Sequence, residues 1–336
     1  MTERARVAIV GAGGWGRQHA RAFSQHPYSE LVGVWSRDRQ RAVTRAAEWH
    51  TQGFDDLDRM LDETAPDLVS VCLPNTEHFL LTRRLIARGI PLLVEKPLVF
   101  DLAEGRTLIR EAAERDLFLA INFNHRYAVP VVRARKDVAA GRLGELEFLT
   151  WRFGGEGSSD HHPYANLIET QCHGIDMLEH LGGTIESVTA DLTDEGGQHS
   201  TVVATLRFAS GAVGSLVGSY SSSYAYPGTH QLEVNGRAGR LLIEDTVKRY
   251  TFSTAGDPTR QVWEAGYFDD RSRSFDQTFD AHLDALLPAL QSGGEPPIPG
   301  RAGLRALAVC TAIIQAYETD RRTHVPEGVV GAGTAE

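Results

Sequence analysis

Short apolar runs alternate with stretches of helical spacing through the first 122 residues. Val7–Val10, Leu31–Trp35, Asp67–Leu73, Pro91–Val94 and Phe118–Asn122 read as buried strands, because continuous apolar runs of this length suit strands covered on both faces. Between them the apolar positions recur every three or four residues. Helices are expected from Arg17 through Phe23, from Arg39 to Trp49, from Phe54 to Glu63 (entered by Asp55 or Asp56), from Phe79 to Arg88 (capped by Asn75 or Thr76 and closed by Gly89) and from Leu102 to Arg115 (capped by Asp101). Strands alternating with helices predict a parallel, doubly wound sheet with right-handed crossovers.

The pattern changes after Asn122. A helix from Val131 to Ala140 ends at Gly141, and Glu145–Phe153 reads as a strand. A glycine-rich polar loop, Gly154–Tyr164, follows and could line a pocket. Ile168, Cys172, Ile175, Leu178 and Leu181 then repeat with helical spacing. Five strand-like runs lie between Ser187 and Ile243, with turns such as Ser210-Gly211 and Asn235-Gly236, and predict a mainly antiparallel sheet. Helices over Phe275–Leu290 and Ala302–Glu318 and a short strand at Val325 complete the expectation. The chain thus reads as an N-terminal α/β domain, 1–123, a second α/β domain, 124–326, and a small polar tail, 327–336, expected to be disordered.

Composition narrows the function classes. A chain of 336 residues with 42% hydrophobic and 23% charged residues is long enough for two domains with cores. A net charge of −10 argues against general binding of nucleic acid or anionic membrane. Cys72, Cys172 and Cys310 are far apart in sequence, which disfavours a disulfide framework or structural zinc and suits a reducing, cytoplasmic setting. The N-terminus shows no signal-peptide pattern, and no run approaches the ~20 apolar residues of a membrane span.

Three stretches carry candidate chemistry. Gly11-Ala12-Gly13-Gly14-Trp15-Gly16 sits between a strand and a helix, the context in which Gly-x-Gly-x-x-Gly signifies dinucleotide binding and a Rossmann domain. Gly11 permits the tight turn, Gly13 the approach of the pyrophosphate, and Gly16 close helix–strand packing. The second strand ends in Ser36-Arg37-Asp38-Arg39-Gln40-Arg41. With Ser36 where an NAD site places an acid, and Arg37 with Arg39 or Arg41 able to clamp a phosphate, NADP is the favoured cofactor. NAD stays open through Asp38, and a solvated helix face is the plainer alternative.

The second stretch is Glu95-Lys96-Pro97. It follows a strand whose carboxyl end would face the crevice where open sheets bind ligands; otherwise it is a solvated turn. The third is the helix carrying Glu169, His173 and Asp176 at i, i+4 and i+7. It reads as a structural helix, as a metal site helped by His161 and His162, or as a catalytic face. In the last case His173 transfers a proton, Asp176 orients it and Glu169 binds a substrate hydroxyl. No metal is expected.

Taken together, the glycine motif, Pro74-Asn75-x-x-His78, Glu95-Lys96-Pro97, Asn124-His125-Arg126-Tyr127 and the helix with His173 and Asp176 resemble the glucose–fructose oxidoreductase / inositol dehydrogenase / MocA family. The resemblance runs to about Pro326. It implies an open-faced sheet in the second domain that often makes oligomer contacts, here in a homodimer or homotetramer. It also implies that Lys96 is a catalytic lysine at the nicotinamide, partnered by His173. Gly14, Trp15, Leu73, Pro74, Asn75, His78, Glu95, Pro97 and Asn124 would line the cofactor with the residues above. His125, Arg126, His161, His162 and Tyr164 are candidates for reading the substrate, with Lys96, Glu169 and His173. The expected reaction is hydride transfer between NADP (or NAD) and a carbinol or ketone carbon of a sugar, cyclitol or sugar nucleotide. Glu169 stands where many members have Asp, which bears on specificity. NAD-assisted glycoside cleavage and non-catalytic dinucleotide sensing are the rival functions.

Overall fold

The computed structural model describes residues 4–157 and 161–326. The expected disordered tail, 327–336, and Ser158, Ser159 and Asp160 of the polar loop lie outside them. The chain forms two compact units, one of residues up to Phe123 with Phe279–Leu304, the other of Asn124–Thr278 with the chain from Arg305 onward.

The first unit holds six strands: β1 (Ala5–Val10), β2 (Ser29–Trp35), β3 (Gly53–Phe54), β4 (Leu68–Val71), β5 (Leu92–Val94) and β6 (Leu119–Ile121). All pair in parallel, in the order β3-β2-β1-β4-β5-β6. The order reverses between β1 and β4, and the crevice of such a sheet opens outside the carboxyl ends at that point. Five helices connect the strands: α1 (Gly14–Gln25), α2 (Arg39–Ala47), α3 (Leu57–Thr64), α4 (His78–Ala87) and α5 (Leu102–Ala113). Asp56 and Asp101 cap α3 and α5 by accepting from the amides of Arg59 and Glu104. The capping expected of Asn75 or Thr76 is not used, because Asn75–Glu77 forms a 3₁₀ turn and α4 starts behind it at His78.

The domain boundary differs from the sequence expectation in one segment. The helix Asp276–Gln291 was expected in the second domain, yet Phe279, Leu283, Leu286 and Leu287 are buried in the first unit's core with Ala20, Phe23 and Val7. Their i, i+4, i+7, i+8 spacing makes one apolar stripe, and burying it is worth more than sequence adjacency.

The second unit is built on a nine-stranded sheet, mixed but mostly antiparallel. Its strands are β7 (Leu146–Gly154), β8 (Ile185–Leu192), β9 (Thr201–Phe208), β10 (Val213–Ser219), β11 (His230–Gly236), β12 (Gly239–Glu244), β13 (Arg249–Thr254), β14 (Arg260–Glu264) and β15 (Thr323–His324). The order is β14-β13-β12-β11-β7-β10-β9-β8-β15, and only β7 and β10 run parallel. Two strands, β13 and β14, escape the sequence pattern. Along β9 Val202, Ala204, Leu206 and Phe208 are buried while Val203 is exposed, so one face packs and the other is open. Helices α6 (Val129–Ala139) and α7 (Cys172–Gly182) belong to this unit. α7 lies close on β7: a Cβ at Gly174 would come within 2.3 Å of the Trp151 indole nitrogen. No helix among the described residues is long and apolar enough to cross a membrane.

Candidate active site

The glycine turn after β1 is shaped by contacts only glycine can make. Gly11 has φ +118°, and a Cβ there would lie 2.3 Å from the Cys72 carbonyl oxygen. A Cβ on Gly16 would lie 1.8 Å from the Gly11 oxygen, so α1 and β1 pack backbone to backbone. Gly13 and Gly14 are different: a Cβ on either meets nothing within 4 Å. That open side lies at the N-terminus of α1, whose first-turn amides and positive dipole end favour a phosphate. Ala12, Gly13 and Gly14 share a groove with Gln40, Arg41, Thr44 and Arg45 of α2. The donor set therefore fits a dinucleotide.

At the end of β2 the Asp38 carboxylate accepts from the Arg41 amide at 3.1 Å and caps α2. Ser36 Oγ accepts from the Asp38 amide at 3.3 Å. Arg37 is mostly solvent-exposed and pairs with Glu77 at 2.6 Å.

Lys96 follows β5 and is joined to Pro97 by a cis peptide bond. Its Nζ lies 5.8 Å from the centre of the Trp15 ring, which also stacks on Phe279. The composition gives this lysine weight: of 34 basic Lys and Arg residues only Lys96, Lys136 and Lys248 are lysine. Arginine serves this chain almost everywhere a cation is needed, but a guanidinium does not release a proton at accessible pH, whereas an amine does.

Glu95 is buried, with both carboxylate oxygens engaged by its neighbours. Its Oε1 accepts from His19 Nε2 and Asn122 Nδ2, each at 2.7 Å, and its Oε2 accepts from the Lys96 amide at 3.1 Å. His19 Nδ1 lies 2.8 Å from Ser70 Oγ, and His282 Nδ1 lies 2.9 Å from Asn122 Oδ1. Burial opposes charge on His19, but the Cys72 sulfur and the Glu95 carboxylate outweigh it and push the imidazole up to about 10. Burial likewise raises Glu95, but His19, Lys96 and Asn122 prevail and hold the carboxyl below its usual range.

His78 is also fully buried. Its Nδ1 lies 2.8 Å from the Pro97 oxygen and its Nε2 3.1 Å from the Leu73 oxygen, tying together the loops after β4 and β5. Burial lowers its pKa against the pull of both carbonyls. Leu73 is buried, Pro74 exposed and Asn75 half-buried.

In the second unit the expected Glu169–His173–Asp176 face is broken up. Glu169 lies in a widened π turn, Asn166–Gln171, so the regular α-helical spacing to His173 does not hold. Its carboxylate pairs with His161 Nε2 at 2.7 Å. Asp176 does not orient His173: Arg126 Nε donates to Oδ2 at 2.8 Å and Nη2 to Oδ1 at 2.5 Å, so both oxygens are taken. The Arg126 fork is in turn committed to Asp176 rather than turned to a substrate. His173 stacks instead on His125, ring centres 4.0 Å apart and 5° from parallel, and both are buried. Tyr164 donates its hydroxyl to Glu318 at 2.8 Å and stacks on His199, while burial and the neighbouring His161 lower the pKa of half-buried His162. Asn124 donates to Thr278 Oγ1 at 2.7 Å. Among the described residues no group of three or more His, Cys, Asp or Glu side chains could hold a metal ion.

Asp176→Ala leaves the largely buried Arg126 without its partner. It should cost about 3 kcal/mol of stability, read as a lower urea midpoint with unchanged slope.

His19, Ser70, Asn122 and His282 form a buried polar cluster around Glu95 that the sequence reading does not pick out. Their signal was present: each is polar at a position where the pattern calls for an apolar one. His19 shares the buried stripe of α1 with Gly16, Ala20 and Phe23, and Ser70 interrupts the apolar strand β4.

Residues 5–123 match the family model described as the oxidoreductase family, NAD-binding Rossmann fold, and residues 140–325 match its C-terminal alpha/beta domain. The chain belongs to the Gfo/Idh/MocA oxidoreductase family. It is 25% identical over 336 residues to inositol 2-dehydrogenase of Rhizobium meliloti, covering 95% of this chain and 99% of that one. It is 36% identical over 142 residues to UDP-N-acetylglucosamine 3-dehydrogenase of Acidithiobacillus ferrooxidans, covering 42% of this chain and 44% of that one. Its fold is that of levoglucosan dehydrogenase, solved in complex with NADH and levoglucosan, with a TM-score of 0.87 at 17% identity over 97% of this chain and 100% of that one. The match of Gfo/Idh/MocA models to both halves accounts for the two-unit architecture.

Proposed function

We propose that this chain is an NAD(P)-dependent dehydrogenase that oxidises a CH–OH group of a sugar, cyclitol or sugar nucleotide, or reduces the matching ketone. The observation that carries the reading is Lys96. It is one of three lysines in an arginine-rich chain, and it stands at the carboxyl end of β5, two strands from the glycine turn that ends β1. The bound dinucleotide supplies the hydride acceptor or donor. The Lys96 ammonium donates a hydrogen bond to the substrate oxygen and stabilises the negative charge that develops as the hydroxyl proton leaves. The His173 imidazole takes that proton in oxidation and returns it in reduction. Steady-state assays of cofactor reduction with a panel of cyclitols, hexoses and UDP-hexoses test the reading, and no turnover with any of them would count against it.

NADP is the cofactor we favour. Ser36 rather than an acid directly follows β2, the Asp38 carboxylate beyond it is occupied in capping α2, and Arg41 lines the glycine groove near Arg37, which is exposed and paired with Glu77. In calorimetric titrations NADPH should bind more tightly than NADH. Replacing Arg37 and Arg41 together by alanine should weaken NADPH about tenfold or more, the worth of a charge-assisted hydrogen bond. NADH affinity should stay within about twofold. Equal weakening of both coenzymes would rule out a 2′-phosphate clamp. Assembly as a homodimer or homotetramer through the open face of the second sheet is part of the same proposal, supported by exposed Val203, Val213 and Val262 on that one face.

A further inference from the structure

The buried polar cluster beneath β5 has no place in the chemistry just described. Glu95 receives hydrogen bonds from His19 and Asn122 on one oxygen and from the Lys96 amide on the other. Ser70 holds the far side of His19, and His282 holds the carbonyl side of Asn122. These residues come from α1, β4, the ends of β5 and β6, and the returning helix Asp276–Gln291. Phe279 packs against His19 edge-on at 5.3 Å and also stacks on Trp15. Lys96, next to the cluster, is only partly buried.

An apolar core of the same volume would serve stability at least as well, since a buried ion pair rarely beats well-packed hydrophobic residues. A retained cluster of this kind therefore asks for a geometric purpose. The geometry supplies one. One Glu95 oxygen meets the Lys96 amide while His19 and Asn122 hold the other.

We propose that His19 is a positioning residue: through the buried carboxylate of Glu95 it fixes the backbone at Lys96 and so aims the Lys96 amine. The catalytic meaning of that aim rests on the function proposed above, but the positioning itself is testable without turnover. Because the chain has three lysines, an amine reagent such as trinitrobenzenesulfonate labels Lys96 against two internal standards, Lys136 and Lys248. The labelling rates are followed by mass spectrometry on the full-length protein.

In His19→Leu the Lys96 rate relative to the two standards should change by about tenfold, as expected for loss of a hydrogen bond to a charged group. His19→Gln places an amide N–H where Nε2 now donates and should restore most of the wild-type ratio. Glu95→Gln, which sets a donor against either His19 and Asn122 or the Lys96 amide, should resemble His19→Leu. A lowered melting temperature with an unchanged Lys96 ratio in His19→Leu and Glu95→Gln would overturn the proposal and leave the cluster purely structural. Should both variants fail to fold, Ser70→Ala and hydrogen exchange at the wild-type Lys96 amide decide it: rapid exchange of that amide would overturn the anchor. Unaltered labelling with lost turnover in Lys96→Ala would refute only the positioning, whereas turnover surviving Lys96→Ala would refute only the catalytic reading.

Discussion

Lys96→Ala should lower turnover by about 10²- to 10³-fold, the usual worth of a donor positioned on a developing oxyanion, while NADPH affinity changes by no more than a few-fold. The split follows from where the residue stands. In the proposed reading the glycine turn and the start of α1 hold the phosphates, so removing an amine at the end of β5 leaves the anchor untouched. The substrate oxygen, in contrast, loses the cation that offsets its developing charge. Lys96→Arg is the more telling variant, because it keeps the charge. A guanidinium is planar and broader than the compact ammonium, so it would have to fit beside the Trp15 ring and could not set its donors where Nζ stands. Turnover of Lys96→Arg should therefore fall nearly as far as that of Lys96→Ala. Steady-state kinetics with a cofactor titration on the same preparations check both. Survival of more than about a tenth of the turnover in Lys96→Ala would remove the amine from the chemistry.

What the sequence disclosed and what it hid follow from one distinction. Backbone constraints are local and leave marks in the sequence. Gly11 and Gly16 are read correctly because a carbonyl at 2.3 Å or 1.8 Å from a hypothetical Cβ admits no other residue. The Asp101 cap is read correctly because it needs only a residue three positions on. Side-chain partnerships are long-range and leave almost no mark. Asp176 stands three residues from His173, yet it spends its carboxylate on Arg126, fifty positions earlier. Glu169 reaches back to His161 because the chain widens into a π turn that no periodicity announces. Glu95 reads as a cofactor residue beside Lys96, and nothing local announces that His19 and Asn122, far along the chain, take its carboxylate. The stripe Phe279-Leu283-Leu286-Leu287 shows that even a correctly read helix can belong to the other unit.

The glycine turn offers the sharpest test of the cofactor site, because two of its glycines should fail in different ways. Gly16→Ala places a carbon 1.8 Å from the Gly11 oxygen, so α1 must move off β1. The helix is pinned by Ala20 and Phe23 in the core and by His19 on Glu95, so the movement is opposed. Overpacking of this kind costs about 1–3 kcal/mol even where side chains can yield, and here the obstacle is backbone. Stability should fall by about 3 kcal/mol or more, and dinucleotide affinity should fall with it because the amides of the first turn leave their places. Gly13→Ala should behave otherwise. Gly13 has φ −75°, which alanine adopts without strain, and its Cβ meets no protein atom within 4 Å. Its stability should stay within about 0.5 kcal/mol of the wild type, while NADPH affinity drops by about tenfold or more, since the new methyl group occupies the space through which a pyrophosphate reaches the backbone. Urea unfolding and calorimetry on the two variants measure both quantities. Unchanged NADPH binding in Gly13→Ala would mean that the phosphates do not lie against this turn, and the cofactor placement would fall with it.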